Sequence, residues 1–215
     1  MGTVQTLLFD FNGTLSHDEP LLLSLYQDLF ARHGRPITSD QYFERLAGLP
    51  EEAIVGGWLG VEGPLLGSLI ADRVESYAAK AGDGSTVPES IRDAVRHAAT
   101  RVPVAVVSAA YRAEIEPVVA AAGLFSDLTT IVAADDVEEQ KPDPACYVLA
   151  LERLGLAASS AVAFEDSEAG VSSATSAGIR CVAVRGTMPD TRLRAADEIV
   201  DAIDVALVDR LLAGG

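Results

Sequence analysis

LLFDFNGTL (residues 7–15) sets an apolar run against a single aspartate, Asp10, and then turns at Gly13 and Thr14. A short buried strand that ends on a carboxylate presents it at the edge of a sheet. Two residues beyond Asp10, where a second carboxylate would sit beside the first, stands the amide of Asn12. What the strand packs into, and what the tip is for, depends on the rest of the chain.

Similar apolar runs recur at residues 102–108 (VPVAVVS), 128–134 (LTTIVAA), 161–166 (AVAFED) and 179–184 (IRCVAV), beside the first at residues 3–9. Continuous runs rich in Val and Ile suit strands covered on both faces. Helical patterns separate them at residues 88–100, 111–123, 143–155 and 167–178, and the last three reach a glycine where a helix is expected to end. Strand and helix alternating in this way predict right-handed crossovers and an α/β fold built on a doubly wound parallel sheet, Rossmann-like in plan.

Residues 18–82 break the rhythm. They contain helical segments only, with Leu21, Leu22, Leu25 and Leu29 at helical spacing and Thr38 or Ser39 as an N-cap. GDGST (residues 82–86) reads as a return linker. The expected organisation is a core of residues 1–17 and 83–215 with an inserted all-helical cap domain at residues 18–82. The alternative is one continuous domain with a helical excursion.

The chain has 215 residues, 49% of them apolar, enough to fill a sizeable core. Its formal net charge of -16, from 16 basic and 32 acidic residues, argues against nucleic acid or an anionic membrane as partner. Cys146 and Cys181 lie in apolar stretches without metal-ligand spacing and read as buried, reduced thiols. Neither a leader nor a membrane-spanning run is read from the sequence, so the expected compartment is the cytoplasm.

Ligands of open parallel sheets bind at the C-terminal strand ends, so the polar residues there are the candidates. Asp10 follows the first strand, Ser108 the second and Glu165 with Asp166 the fourth, while Lys141 lies in QKPDP after the third. Each has a plain reading: turn cap, helix N-cap or solvated charge. Together they place a carboxylate nucleophile, a hydroxyl, an ammonium and an acidic pair on one rim, the parts that phosphoryl transfer through an aspartyl-phosphate requires. Asp10 and Asp166, with the carbonyl of Asn12, would suit a magnesium ion.

DFNGTL, VAVVSAA, QKPDP and FEDSEAGVSSATSAG resemble, in order and spacing, the four motifs of the haloacid dehalogenase superfamily. The likeness extends to HDEPLL and is nearest to the phosphatase and phosphoglucomutase-like branch with a helical cap. It implies Asp10 as nucleophile, and Phe11, Asn12, Ser108, Ala109 and Lys141 around the phosphoryl group. It also implies Asp10, Asn12, Asp166 and, through a water, Glu165 around Mg2+. The implied activity is hydrolysis of a small phosphorylated metabolite.

Asn12 departs from that pattern, because phosphatases of the superfamily carry there an aspartate that protonates the leaving oxygen and then activates water. Losing general acid-base help costs about 10²- to 10⁴-fold in rate. The contrasting reading is a muted protein that keeps the fold and binds a phosphorylated ligand. Dehalogenase, phosphonatase and sugar-phosphate mutase readings fit less well: Lys80 lies away from the AGLPEEAI turn (residues 47–54), which has no arginine to clamp a second phosphate. By the resemblance that turn takes the place of the superfamily's substrate-specificity loop; a solvated helix N-terminus explains its Glu51 and Glu52 equally well. His17, Asp18 and Glu19 read as a polar hinge, with a substitute acid or base as the sharper option. Tyr111 and Arg112 read as ordinary helix surface.

Overall fold

Six parallel strands form one sheet, in the order β3-β2-β1-β4-β5-β6, in a computed structural model that describes residues 3–214. They are β1 (Thr6–Phe9), β2 (Val104–Val107), β3 (Thr130–Val132), β4 (Ala161–Glu165), β5 (Arg180–Val184) and β6 (Glu198–Val200). The five runs read from the sequence are all strands, each trimmed at one end or both. Strand β6 was not read: DEIV carries too little apolar signal, and its residues are only half-buried at the sheet edge.

Leu7, Leu8 and Phe9 of β1 are fully buried, and so are Val104 to Val107 of β2, as strands covered on both faces must be. Each of the Val, Leu and Phe side chains contributes about 1.5–3 kcal/mol on leaving water. Phe9 pairs with Phe164 across β1 and β4, their rings stacked with centroids 4.7 Å apart. The chain runs outward from β1 to β2 and β3, then returns to β4 on the other side of β1. That reversal opens a crevice at the C-terminal ends of β1 and β4.

The helices are α1 (Glu19–Arg32), α2 (Ser39–Arg45), α3 (Gly57–Leu59), α4 (Gly63–Ala81), α5 (Glu89–Ala99), α6 (Arg112–Ala121), α7 (Ala145–Leu154), α8 (Glu168–Ser176), α9 (Asp190–Leu193) and α10 (Val205–Ala213). Right-handed crossovers put α5 and α6 on one face of the sheet and α7 and α8 on the other. Gly123, Gly155 and Gly178, the predicted helix stops, have φ of 70°, 66° and 76°, which favours glycine. No helix is long and apolar enough to cross a membrane among the described residues.

Residues 19–81 contain no strand among the described residues. Thr38 caps α2 in a reciprocal box with Gln41, as its sequence implies. A π-helical turn, Glu52–Gly56, leads into α3. The rings of Tyr42, Tyr26, Phe30 and Trp58 pack one on the next in that order through this helical block, with centroids 5.6–6.0 Å apart. Its two connections to the sheet lie side by side: His17 N–H donates to Thr86 O at 2.8 Å, and Ser16 Oγ donates to Thr86 Oγ1 at 2.8 Å.

The block docks onto the sheet domain through α4 and α6. Arg73 on α4 is buried between Glu114 on α6 and Glu51, which also accepts from the Tyr26 hydroxyl. Glu51 is therefore no solvated helix end. The expectation failed because its partner lies 22 residues further along the chain. Glu52 is exposed and accepts from Tyr111 Oη at 2.9 Å.

Candidate active site

Three strand ends and one loop converge in the crevice between β1 and β4. Asp10 leaves β1 with its amide donating to Phe164 O at 3.0 Å, so the β-ladder itself fixes where the carboxylate emerges. Lys141 Nζ donates to Asp10 Oδ1 at 2.6 Å, to Glu165 Oε1 at 2.6 Å and to Val107 O at 2.9 Å. All three donors of the ammonium are thus used, and the lysine is fixed. Tyr147 Oη gives Glu165 Oε1 a further hydrogen bond of 2.7 Å.

The carboxylates of Asp10, Glu165 and Asp166 each bring one oxygen within 4.8 Å of the others, and all three are buried. Only one ammonium accompanies them, so the cluster carries a surplus of negative charge. Burial pushes Glu165 up to about 7, against the pull of Lys141 and with Asp10 adding to the rise. Burial likewise pushes Asp166 well above the usual carboxylate range, with Asp10, Glu19 and Glu165 adding repulsion. The same carboxylates hold Lys141 protonated despite the cost of burying it.

This donor set fits a small divalent cation. It is made of oxygen, the ligand type that suits Mg2+, Ca2+ or Mn2+. Glu165 Oε2 is buried with no hydrogen-bond partner, an orphan acceptor aimed at no protein donor. The backbone is shaped around these groups: a Cβ at Gly13 would lie 1.9 Å from Asp166 Oδ2, and one at Gly170 would lie 1.8 Å from Glu165 Oε2. Gly13 also has φ of 73°.

Asp10, Asn12, Ser108, Ala109, Lys141 and Asp166 line one pocket. Ser108 Oγ is buried at that pocket and accepts from Ala110 N–H at 3.1 Å. Glu165 lies behind the lining and Phe11 does not reach it. The Phe11 ring is fully buried edge-on to Tyr77, with centroids 6.5 Å apart, so that side chain is core, not a phosphate contact. Lys80 and Arg45 are exposed and outside the pocket. Tyr111 and Arg112 are outside it too, the latter paired with Asp136 at 2.5 Å.

The opposite wall comes from the helical block: Glu19, Leu22, Tyr26, Tyr42, Leu49, Glu51, Ile54 and Arg73. Of these polar groups only Glu19, in the hinge, and Glu51, in the turn that takes the place of the superfamily's specificity loop, were noticed in the sequence. Tyr26, Tyr42 and Arg73 look like ordinary amphipathic-helix residues, and nothing local distinguishes them. Asp18, in the expected hinge, is 1% exposed. It accepts from Asn12 Nδ2 at 2.8 Å, from Gly13 N–H at 3.2 Å and from the Tyr77 hydroxyl. The departure at Asn12 therefore has a partner: an acid six residues on receives its amide hydrogen. Cys146 and Cys181 are buried free thiols, as expected.

A family model described as haloacid dehalogenase-like hydrolase matches residues 7–184. Validoxylamine A 7'-phosphate phosphatase of Streptomyces hygroscopicus subsp. limoneus is 33% identical over 196 residues, covering 90% of this chain and 91% of that protein. Phosphorylated carbohydrates phosphatase of Thermotoga maritima is 29% identical over 188 residues, covering 82% of each. The crystal structure of CbbY from Rhodobacter sphaeroides in complex with phosphate superposes with a TM-score of 0.82 at 26% identity, covering 93% of this chain and 95% of that one. Motif order, sheet topology and these matches agree: the chain belongs to the haloacid dehalogenase-like hydrolases.

Proposed function

We propose that the protein is a Mg2+-dependent phosphomonoester hydrolase that acts on a small phosphorylated metabolite through an aspartyl-phosphate on Asp10. The observation that carries this reading is the joint placement of Asp10 and Lys141, 2.6 Å apart and buried, at a pocket with a surplus of carboxylates. The relatives named as phosphatases of phosphorylated small molecules support the substrate class.

Lys141 takes one oxygen of Asp10, leaving Oδ2 to attack phosphorus. The bond from phosphorus to the leaving oxygen breaks, and that oxygen departs with the electron pair. Ser108 holds a transferring oxygen, and Lys141, its three donors committed, contributes its positive charge beside the phosphoryl group. A bound Mg2+, held by Asp10, Asp166, Glu165 and Asn12, would offset the repulsion between the Asp10 carboxylate and the anionic phosphate. Water then attacks phosphorus and frees Asp10. The helical block, which forms the pocket's far wall, is read as a cap domain of residues 18–82 that keeps bulk water out during the first step.

Arg73 reaches the pocket but is neutralised by Glu51 and Glu114, which favours a monophosphate over a substrate with a second phosphate. The test is Mg2+-dependent phosphate release from an aryl phosphate and a sugar phosphate, beside Asp10→Ala. Loss of release in the variant is expected, and equal rates in the two proteins would remove Asp10 from the mechanism. A second reading rests on Asn12 alone: a protein that binds the phosphorylated ligand without efficient turnover. It predicts ligand binding with no Asp10-dependent release from any ester.

A further inference from the structure

Asn12 leaves the pocket without an acid at its own position, and its nearest carboxylate cannot serve in its place. Asp18 is already committed to Asn12, Gly13 and Tyr77, and it does not line the pocket. One residue further, Glu19 does line it, together with Asp10, Asn12 and Asp166. It opens helix α1, with a proline in the first turn, so the backbone holds it at the mouth of the crevice. Among the described residues its carboxyl has one hydrogen bond, from Tyr42 Oη at 3.3 Å, and no salt bridge. A half-buried carboxyl with one oxygen uncommitted, facing a site that holds an amide at position 12, is placed to give a proton.

We propose that Glu19 is the catalytic acid that protonates the leaving oxygen, replacing from the first turn of α1 the group that Asn12 lacks. The inference rests on the hydrolase reading above. In the first step the Asp10–phosphorus bond forms, the bond to the leaving oxygen breaks and its electron pair moves to that oxygen. The Glu19 proton follows, releasing a neutral alcohol and a Glu19 carboxylate. In the second step water attacks phosphorus, the bond to Asp10 breaks and the proton lost by the water returns to Glu19.

The surroundings of Glu19 favour the protonated form. Asp18 precedes it, Asp10 and Asp166 face it from the ends of β1 and β4, and Tyr42 faces it from α2. On its outer side His17 and Arg185 line an open cleft. Burial, then the charges of Asp18 and Asp10, raise it to about 7, against the hydrogen bond from Tyr42. An acid works best with its pKa near the operating pH.

The experiment compares kcat/KM of wild type and Glu19→Gln, with Mg2+, on a nitrophenyl phosphate and an alkyl phosphate across pH. A nitrophenolate leaves without a proton, whereas an alkoxide needs one. The expected result is a loss of about 10²-fold or more on the alkyl ester, a loss at least tenfold smaller on the aryl ester, and disappearance of the falling limb near neutral pH. Equal losses on both esters, or a limb that persists, would overturn the proposal while leaving the hydrolase reading intact. Wild-type rates over a series of esters give a second measurement that no folding defect can confuse: a steep fall with rising leaving-group pKa overturns it as well. No Asp10-dependent turnover on any ester would overturn the hydrolase reading and this proposal together.

Discussion

Two buried charge clusters of this molecule use the same materials to different ends. At the rim, Lys141 meets Asp10 and Glu165 with Asp166 close by; between α4 and α6, Arg73 meets Glu51 and Glu114. Each has one cation and more carboxylates than that cation can neutralise. The rim cluster opens on the pocket and holds a compact ammonium, a point charge that leaves room for a second cation. The other borders the same pocket through Arg73 and Glu51, but its guanidinium fork is taken up by two carboxylates and ties two helices together, with Glu114 Oε2 also accepting Tyr111 N–H at 3.1 Å. The difference teaches that bordering a pocket is not enough: buried charge marks chemistry where carboxylates cluster closely enough to take a further cation.

The sharpest way to break that comparison is to remove each cation in turn. Lys141→Met is expected to cut turnover by about 10²- to 10³-fold or more, as for loss of a donor to transition-state charge. Added Mg2+ should restore part of its lost thermal stability by supplying positive charge to the same carboxylates. Arg73→Met is expected to cost about 3–5 kcal/mol of folding stability, because two buried carboxylates lose their partner. That corresponds to a drop of roughly 10 °C in Tm for a chain of this size. Turnover of its folded fraction should fall by less than tenfold, and Mg2+ should not rescue it. Thermal melts with and without Mg2+, beside single-ester kinetics, read both. An Arg73→Met protein that is stable but inactive would erase the distinction.

A smaller effect is expected at Asn12. Its amide donates to Asp18, so Asn12→Asp alone would set carboxylate against carboxylate at 2.8 Å. One of the two must then hold a proton or turn away. Asn12→Asp is therefore expected to raise turnover by less than tenfold. The exchanged pair, Asn12→Asp with Asp18→Asn, restores a donor-acceptor contact and is expected to give at least a further tenfold, a coupling of about 1.4 kcal/mol or more. Additive effects in this double-mutant cycle would show that the contact has no bearing on catalysis.

The sheet was legible because its strands are buried on both faces, and period and composition record that directly in runs such as VPVAVVS. Asp10, Ser108 and Asp166 were legible for a related reason: they lie at the ends of such runs, where the sheet forces them onto one rim, whereas Lys141 was legible from QKPDP in the loop after the third. The far wall was not. Arg73 and Tyr26 reach the pocket through the packing of α1, the π-helical turn and α4, and no local pattern encodes how three helices cross. Glu51 was misread as solvent-facing because a charge at a helix start is ordinary on a surface. Only a partner 22 residues away makes it buried. Strand β6 escaped because an edge strand half-open to solvent can be made of DEIV.

The smallest effect separates the clusters by pH. Burial raises Glu114 from its ordinary 4.5 to about 7, with the attraction of Arg73 opposing the rise and the charge of Glu51 adding to it. A carboxyl whose folded pKa lies above its unfolded one holds more protons in the native state between those two values. Its favourable contribution is complete below the unfolded pKa and is lost as pH rises through the folded one. The wild type should therefore lose stability as pH rises from 4.5 towards 7, by at most about 3 kcal/mol from this group. Glu114→Gln has no proton to lose, so its urea midpoint should change less over the same interval. Glu165 rises to about 7 as well, and its share of the slope should vanish when Mg2+ is saturating, whereas the share of Glu114 should not. Measured at about pH 5 and about pH 7.5, with and without the cation, four midpoints for each protein decide the matter. If Mg2+ removes the whole slope, the docking cluster is silent in this range and its arginine holds both carboxylates ionised throughout.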